Sequence, residues 1–200
     1  LRLLEVEDFD AMIGFVRTKQ ATLDIAAALE AKGYKVAALN GDIAQNQRER
    51  VIDSLKDGRL NIVIATDVAA RGLDVPRITH VFNIDMPYDP ESYVHRIGRT
   101  GRAGRDGRAL LLVTPRERRM LQVIERVTGQ KVAEILLPDA KVILQARIRR
   151  LTQNLAPRVK DKENKNLELL AHLTTELNCS AEDLALALLA KTTEGQAFTL

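Results

Sequence analysis

Ile62-Val63-Ile64-Ala65-Thr66-Asp67-Val68-Ala69-Ala70-Arg71-Gly72-Leu73-Asp74-Val75 opens as a short β-branched run and continues through a hydroxyl, small residues and a glycine. The same alternation extends outward in both directions. Further β-branched runs stand at 12–16, 36–39, 80–84 and 109–113, with helical patterns at 21–32, 45–57, 91–99 and 117–127. Strands alternating with helices between residues 11 and 114 predict a parallel sheet wrapped by helices. Local signals agree with this reading. Gly33 and Gly58 stand just past helices, where a left-handed cap is wanted. Asp89-Pro90 reads as the N-cap and first-turn proline of a helix that carries Tyr93 and His95.

Two hundred residues with 46% hydrophobic content suffice for one main domain and a minor one. Aromatics make up 4% and Trp is absent, so the core must be built from Ala, Val, Ile and Leu. The single cysteine, Cys179, excludes an internal disulfide, and with His80, His95 and His172 it offers no metal-ligand spacing, which favours a reducing cytoplasm. No apolar run reaches the ~20 residues a bilayer span requires, so no membrane association is expected. The first residue is Leu1 rather than Met, and the sequence reads as a piece of a longer protein.

Beyond residue 128 the strand signals stop. Pro138-Asp139 opens a helix expected to run to about residue 154, and a polar stretch over 157–166 reads as a loop. Leu167, Leu170, Ala171, Leu173 and Leu177 mark a second helix. Ser180 with Asp183 forms a capping box that opens a third, through Leu184, Leu188 and Leu189. The expected division is therefore an α/β domain over 1–128 and a small all-α extension over 129–200.

In a parallel sheet, function resides in the loops at the carboxyl ends of the strands. Thr66 to Asp74 is one such loop, suited to close approach of backbone to a phosphate or sugar. Gly41-Asp42 followed by Gln45-x-x-Arg48 is a second, a turn and helix start on the same face, where anions are favoured. The third runs Tyr93-Val94-His95-Arg96-Ile97-Gly98-Arg99-Thr100-Gly101-Arg102-Ala103-Gly104-Arg105-Asp106-Gly107-Arg108. Arginine recurs there at every third position from Arg96 to Arg108, with glycines between. A solvated surface would mix in Lys and Glu. The pattern instead suits a loop that presents guanidinium groups to phosphate oxygens.

These motifs, His95 to Arg102, Ala65 to Asp74, and Phe15-Val16-x-Thr18, together resemble the second RecA-like domain of DEAD-box RNA helicases, in order and spacing over residues 12–113. The resemblance implies a RecA-like sheet with helices on both faces. It further implies that Arg99 and Arg102 are the arginine fingers reaching the γ-phosphate of ATP, that Asp74 contacts the ribose, and that His95 links the nucleotide site to the other motor half. RNA-backbone contacts fall by the same resemblance on Arg48 and Thr66, with Arg71, Gly72 and Gly41 beside them, and Phe15 supports the site from its strand. The tail from Val127 to Arg150 is similar to the extension of bacterial cold-shock DEAD-box helicases, which implies a homodimer through 129–200.

Neither a Gly-x-x-x-x-Gly-Lys-[Ser/Thr] loop nor Asp-Glu-Ala-Asp occurs in the sequence. ATP and Mg²⁺ are therefore expected to be held mainly by a preceding RecA-like domain of the same chain, and the segment alone is expected to be inactive. Two other readings compete. A non-catalytic adaptor that binds RNA backbone and pairs with itself would also use the basic loop and the tail cations Arg147, Arg149, Arg150, Arg158, Lys160, Lys162 and Lys165. A DNA helicase of the RecQ kind would share Gly101 to Gly107, but would carry glutamine where His95-Arg96 stands.

Overall fold

Central strands that bury both faces favour apolar side chains and admit a polar one where it is hydrogen-bonded, and the computed structural model places its most apolar runs accordingly. It describes residues 1–102, 104–160 and 166–193. Five parallel strands form one sheet in the order β2-β3-β1-β4-β5: β1 (Ala11–Phe15), β2 (Val36–Leu39), β3 (Ile62–Ala65), β4 (Ile78–Asn83) and β5 (Arg108–Leu111). β1 lies at the centre, with Met12 opposite Ile62 on one side and His80 on the other. Ala11, Ile13, Phe15, Val63 and Ala65 point to one face, where Leu55 and the partly buried Val51 and Ile52 of α3 (Gln45–Lys56) meet them. α2 (Lys19–Glu30) packs on β2 and β3.

The expected strands 36–39 and 62–65 are observed without change, and the other three differ by one or two residues at their ends. Gly33 and Gly58 have positive φ, and the Asp89 carboxylate accepts a 2.7 Å hydrogen bond from Ser92 N at the start of α5 (Pro90–Ile97). Two short helices escaped the sequence reading: α1 (Arg2–Val6) and α4 (Asp67–Ala70). Neither is long enough to show a periodicity. A 3₁₀ turn (Pro115–Glu117) leads into α6 (Arg118–Thr128).

The chain divides into two compact units: Asp8–Glu134 holds the sheet, while Leu1–Glu7 joins Ile135–Leu200 in a helical unit. The division differs from the 1–128 and 129–200 read from the sequence, because α1 packs on α7 (Ala140–Lys160) rather than with the strands. A correction applies to Pro157, expected in a loop: it lies inside α7, which runs to Lys160. Proline in the last turn forfeits a single backbone bond, to the Gln153 carbonyl, and neighbouring Leu155, Ala156 and Arg158 are good helix formers. The rest of that expected loop, 161–165 with Lys162 and Lys165, lies outside the described residues, as does Ala103. α8 (Leu167–Glu176) and α9 (Ala181–Thr192) follow, α9 opened by the expected Ser180–Asp183 capping box. No helix among the described residues is long and apolar enough to cross a membrane.

Candidate nucleotide and RNA interface

Parallel strands bring all their carboxyl ends to one edge of the sheet, and the loop after β3 crosses there toward β4, on the far side of β1. Ligands of open α/β sheets bind where the strand order reverses in this way. Along the loop, Leu73 and Val75 are each 1% exposed, while Asp74 between them projects outward. Two buried anchors therefore aim one carboxylate. Gly72, at φ +75°, supplies the left-handed turn that precedes them.

Onto this carboxylate the arginine loop closes. α5 ends at Ile97, and Arg99 donates from Nη1 to the Leu73 carbonyl at 3.0 Å and from Nε to the His95 carbonyl at 3.3 Å. Arg102 donates from Nε to the Gly98 carbonyl at 2.8 Å and forms an ion pair with Asp74. The i, i+3 spacing thus sets two guanidiniums on consecutive residues of one loop. Partial burial, and next the charge of Arg102, lower the Arg99 guanidinium from its usual value, with Asp74 opposing both. Arginine stays cationic regardless. Two cations beside one exposed carboxylate, of which only Arg102 pairs with it, leave positive charge that a phosphate would satisfy. The neck of the arginine loop is tight as well: a Cβ on Gly107 would sit 2.5 Å from Gly101 N, so the chain at Gly107 has no room for a side chain.

A cleft of ≈ 220 Å³ lies alongside, lined by Phe15, Asp67, Ala70, Arg71, Ser92, His95, Arg96 and Arg99. His95 is exposed on α5 and faces into it. Sites that enclose a small molecule usually measure ~300–1,000 Å³, so this cleft covers only part of a nucleotide. A larger hollow of ≈ 420 Å³ is formed by Gln122, Glu125, Arg126, Gly129, Gln130 and Lys131 at the end of α6, and shares no residue with the arginine loop.

The remaining expected residues collect at the ends of β2 and β3, which run side by side with Leu39 opposite Ala65. Gly41 follows one strand and Thr66 the other. Arg48 of α3 donates from Nη2 to the Arg71 carbonyl at 2.6 Å, tying α3 to the loop that carries Arg71 and Gly72. Gly41 and Arg71 are exposed, whereas Thr66 is buried and Arg48 partly so. The turn at Gly41 is held by Asn40, which donates to Thr22 Oγ1 at 2.9 Å and accepts from Asp42 N, and by a Lys19–Asp42 ion pair.

Residues 1–104 match the family described as "Helicase conserved C-terminal domain". The chain belongs to this family. Over 203 aligned residues it is 48% identical to the ATP-dependent RNA helicase DeaD of Mycobacterium tuberculosis (strain H37Rv), covering all of this chain and 36% of that protein. The Escherichia coli DEAD-box protein SrmB, in complex with regulator of ribonuclease activity A (RraA), superposes with a TM-score of 0.63 at 39% identity, over 67% of this chain and 79% of that one. Dbp5 of S. cerevisiae, bound to RNA and ADP BeF3, gives a TM-score of 0.61 at 30% identity, over 77% and 40%. The chain is accordingly a C-terminal helicase domain of the DEAD-box type, spanning about a third of the length of the curated relative it matches.

Within this helicase domain one reading of the arginine series needs correction. Arg96 does not belong to a phosphate-presenting loop: it lies on the inner face of α5 and is 1% exposed. Its Nε and Nη2 grip both Asp67 oxygens at 2.6 and 2.7 Å, while Nη1 donates to Asn83 Oδ1 at 3.2 Å and to the Asp85 carbonyl at 2.7 Å. The guanidinium carbon stands 5.1 Å from the centre of the Phe15 ring. α5 ends at Ile97, so the helix directs Arg96 inward while the loop beyond it directs Arg99 and Arg102, and a three-residue repeat in the sequence does not survive as one face. Asp67, Asn83 and Asp85, the partners of Arg96, were missed because nothing local marks them. Only the sheet brings the ends of β1, β3 and β4 together.

Proposed function

We propose that this domain is the C-terminal motor half of an ATP-dependent DEAD-box RNA helicase. It closes over ATP and RNA bound to a preceding RecA-like half of the same chain. The observation that supports this best is the convergence of Arg99 and Arg102 on the Leu73–Asp74 loop beside a cleft too small to hold a nucleotide alone. In this reading closure moves both guanidiniums onto the γ-phosphate, where they neutralise charge on the transferred group. Asp74 meets the ribose, and His95, facing the cleft, carries the contact to the other half. Mg²⁺ and the triphosphate are held mainly by that half, so the segment by itself turns over no ATP. Gly41, Arg48, Thr66, Arg71 and Gly72 meet the RNA backbone, contacts that carry no base information. Closure then favours a bent RNA strand, and strand separation follows from the same equilibrium as ATP binding.

The Arg102–Asp74 ion pair fits this scheme as the arrangement before closure. Both groups are partly exposed, so the pair is worth at most ~1 kcal/mol and yields readily to a phosphate and a ribose. In the intact protein Arg102→Ala should lower ATP hydrolysis by on the order of a thousandfold or more, with RNA affinity changed less than about twofold. Equal hydrolysis by the two proteins would refute the assignment. The helical unit is proposed to pair with a second copy, a reading favoured by Leu167, Leu177, Leu186 and Leu188, each more than half exposed. Light scattering with and without the residues beyond Pro138 tests it: a mass unchanged from monomer in both would remove the dimer.

A further inference from the structure

β5 delivers the chain to the carboxyl edge of the sheet, where the Pro115–Glu117 turn and then α6 begin. α6 packs on α5 through Ile124, which is fully buried, with Met120 and Leu121 beside it. At 3.6 residues per turn, Arg118, Gln122, Arg126 and Arg119 fall within roughly 100° of the opposite side. All four are exposed. Residues 115–131 hold only two acids, and both are already engaged. Glu117 accepts from Arg17 Nη2 at 3.3 Å and from Thr114 Oγ1 at 2.8 Å. Glu125, with a side chain only 13% exposed, accepts from Lys131 Nζ at 3.0 Å and from Val132 N at 2.9 Å. Among the described residues no carboxylate pairs with Arg118, Arg119 or Arg126.

A solvated helix mixes its charges, as α3 does by setting exposed Glu49 and Asp53 among Arg48, Arg50 and Lys56. α6 has no acid in its first turn, and the two arginines there oppose the helix dipole. A local rule broken in this way calls for something that the arginines meet outside the helix. Gly129, at φ +68°, ends α6, and Gln130 and Lys131 beyond it join Gln122 and Arg126 around the hollow of ≈ 420 Å³. Guanidinium, ammonium and amide donors are what phosphate oxygens accept from. A protein partner would call for an apolar centre among the cations, and Gln122 stands there instead. We infer that this face of α6, from Arg118 to the hollow at Arg126, is a second RNA-backbone surface. Three strand spacings, ~14 Å, separate β3 from β5, so the surface is distinct from the loops after β2 and β3 and holds RNA that flanks the segment bound there. The inference rests on the proposed function in taking RNA as the substrate.

The experiment titrates the full-length protein, without nucleotide, against a single-stranded RNA of about 20 nucleotides over a range of salt. Each phosphate contact on a single strand adds ~0.7 to the slope of log affinity against log salt. Arg119→Ala with Arg126→Ala should therefore lower that slope by ~1.4 and weaken binding roughly tenfold at ~50 mM salt, a difference that closes by ~300 mM. Arg119→Lys with Arg126→Lys keeps both charges and should keep the slope. With RNA and ATP saturating, kcat should be unchanged in both. Equal slopes and affinities for wild type and the alanine variant overturn the surface, and so does a lysine variant that loses as much as alanine. Loss of binding to polyglutamate, with RNA binding intact, would assign the face to an acidic protein instead and also overturn it. Failure of the proposed function shows elsewhere, in hydrolysis that survives Arg102→Ala, because the salt titration needs no turnover.

Discussion

Ile13, Leu55, Ile62, Val63 and Ile64 of the sheet unit have no exposed surface at all, whereas in the helical unit Leu167 keeps 73% and Leu136 90% of theirs. Fully burying such a side chain contributes ~1.5–3 kcal/mol, so the sheet unit gathers most of what its apolar residues offer within itself. The helical unit gathers it at Leu3, Leu4, Leu144, Ala146 and Leu184 and leaves the rest open. Their arginines differ in the same direction. Arg96 is sealed inside the sheet unit with every nitrogen bonded, while Arg147 and Arg150 work at the rim of a two-helix contact. A unit that closes its own core can spend surface arginines on a ligand. One that does not leaves apolar surface for the pairing proposed above.

The largest effect should separate the units by stability. Arg96→Ala strips buried Asn83 and the Asp85 carbonyl of their donor and Asp67, which is 34% exposed, of its ion-pair partner, and should cost about 3 kcal/mol, read as an early unfolding step of the sheet unit in urea. A shift below about 1 kcal/mol would mean that water replaces the guanidinium, and the two units would then differ less than their burial suggests. Leu144→Ala on α7 should cost ~2–3 kcal/mol, at the lower end for core leucines because a thin helical unit collapses around the gap. Ser180→Ala removes the cap of α9, where Ser180 Oγ accepts from Asp183 N at 3.0 Å, and should cost ~1 kcal/mol of helical-unit stability.

Acid should loosen the hold of Arg147 on Glu5, whose carboxylate accepts from Arg147 Nε at 3.1 Å and Nη2 at 2.9 Å. The hydrogen bonds from Arg147, and to a lesser degree the charges of Arg147 and Arg150, hold the Glu5 carboxyl below its usual value of 4.5, against the opposing effect of burial. A lowered carboxyl contributes stability that is complete above 4.5 and lost as pH falls through the lowered value. Amide exchange in residues 2–6 should therefore accelerate below pH ~4.5 while the strands stay protected, and a flat profile from neutrality down to pH 3 would remove Glu5 from the grip. The smallest effect is expected at Leu186, which is 60% exposed: Leu186→Ala should change monomer stability by less than ~0.5 kcal/mol. Any weakening should appear only in self-association, and a clear loss of monomer stability would instead show that the face is already covered.

Much of this was legible from order and spacing. Runs such as Ile62–Ala65 announce a buried strand, Asp89-Pro90 a helix start, and the residues from His95 to Arg102 a family with its expected roles. Arg99 and Arg102 were singled out by the resemblance to the family, and both reach the same neighbouring loop. Arg96 obeys that spacing yet sits elsewhere, because it falls within the helix and its fate depends on Asp67, 29 residues away. Pro157 was misread for a related reason. Proline raises the local cost of helix, but the residues on either side decide whether that cost is met.

By itself the sequence determined what depends on period and local chemistry: the parallel sheet, the caps, the separate helical tail and the identity of the arginine loop. Tertiary structure alone decided which arginines are structural and which are presented, that Asp74 projects between two buried anchors, and that the first seven residues belong with the last sixty-six. The physical reason is that side-chain roles follow from burial and from partners distant along the chain. Glu5 and Arg147 stand 142 residues apart in sequence and become neighbours only within the folded helical unit.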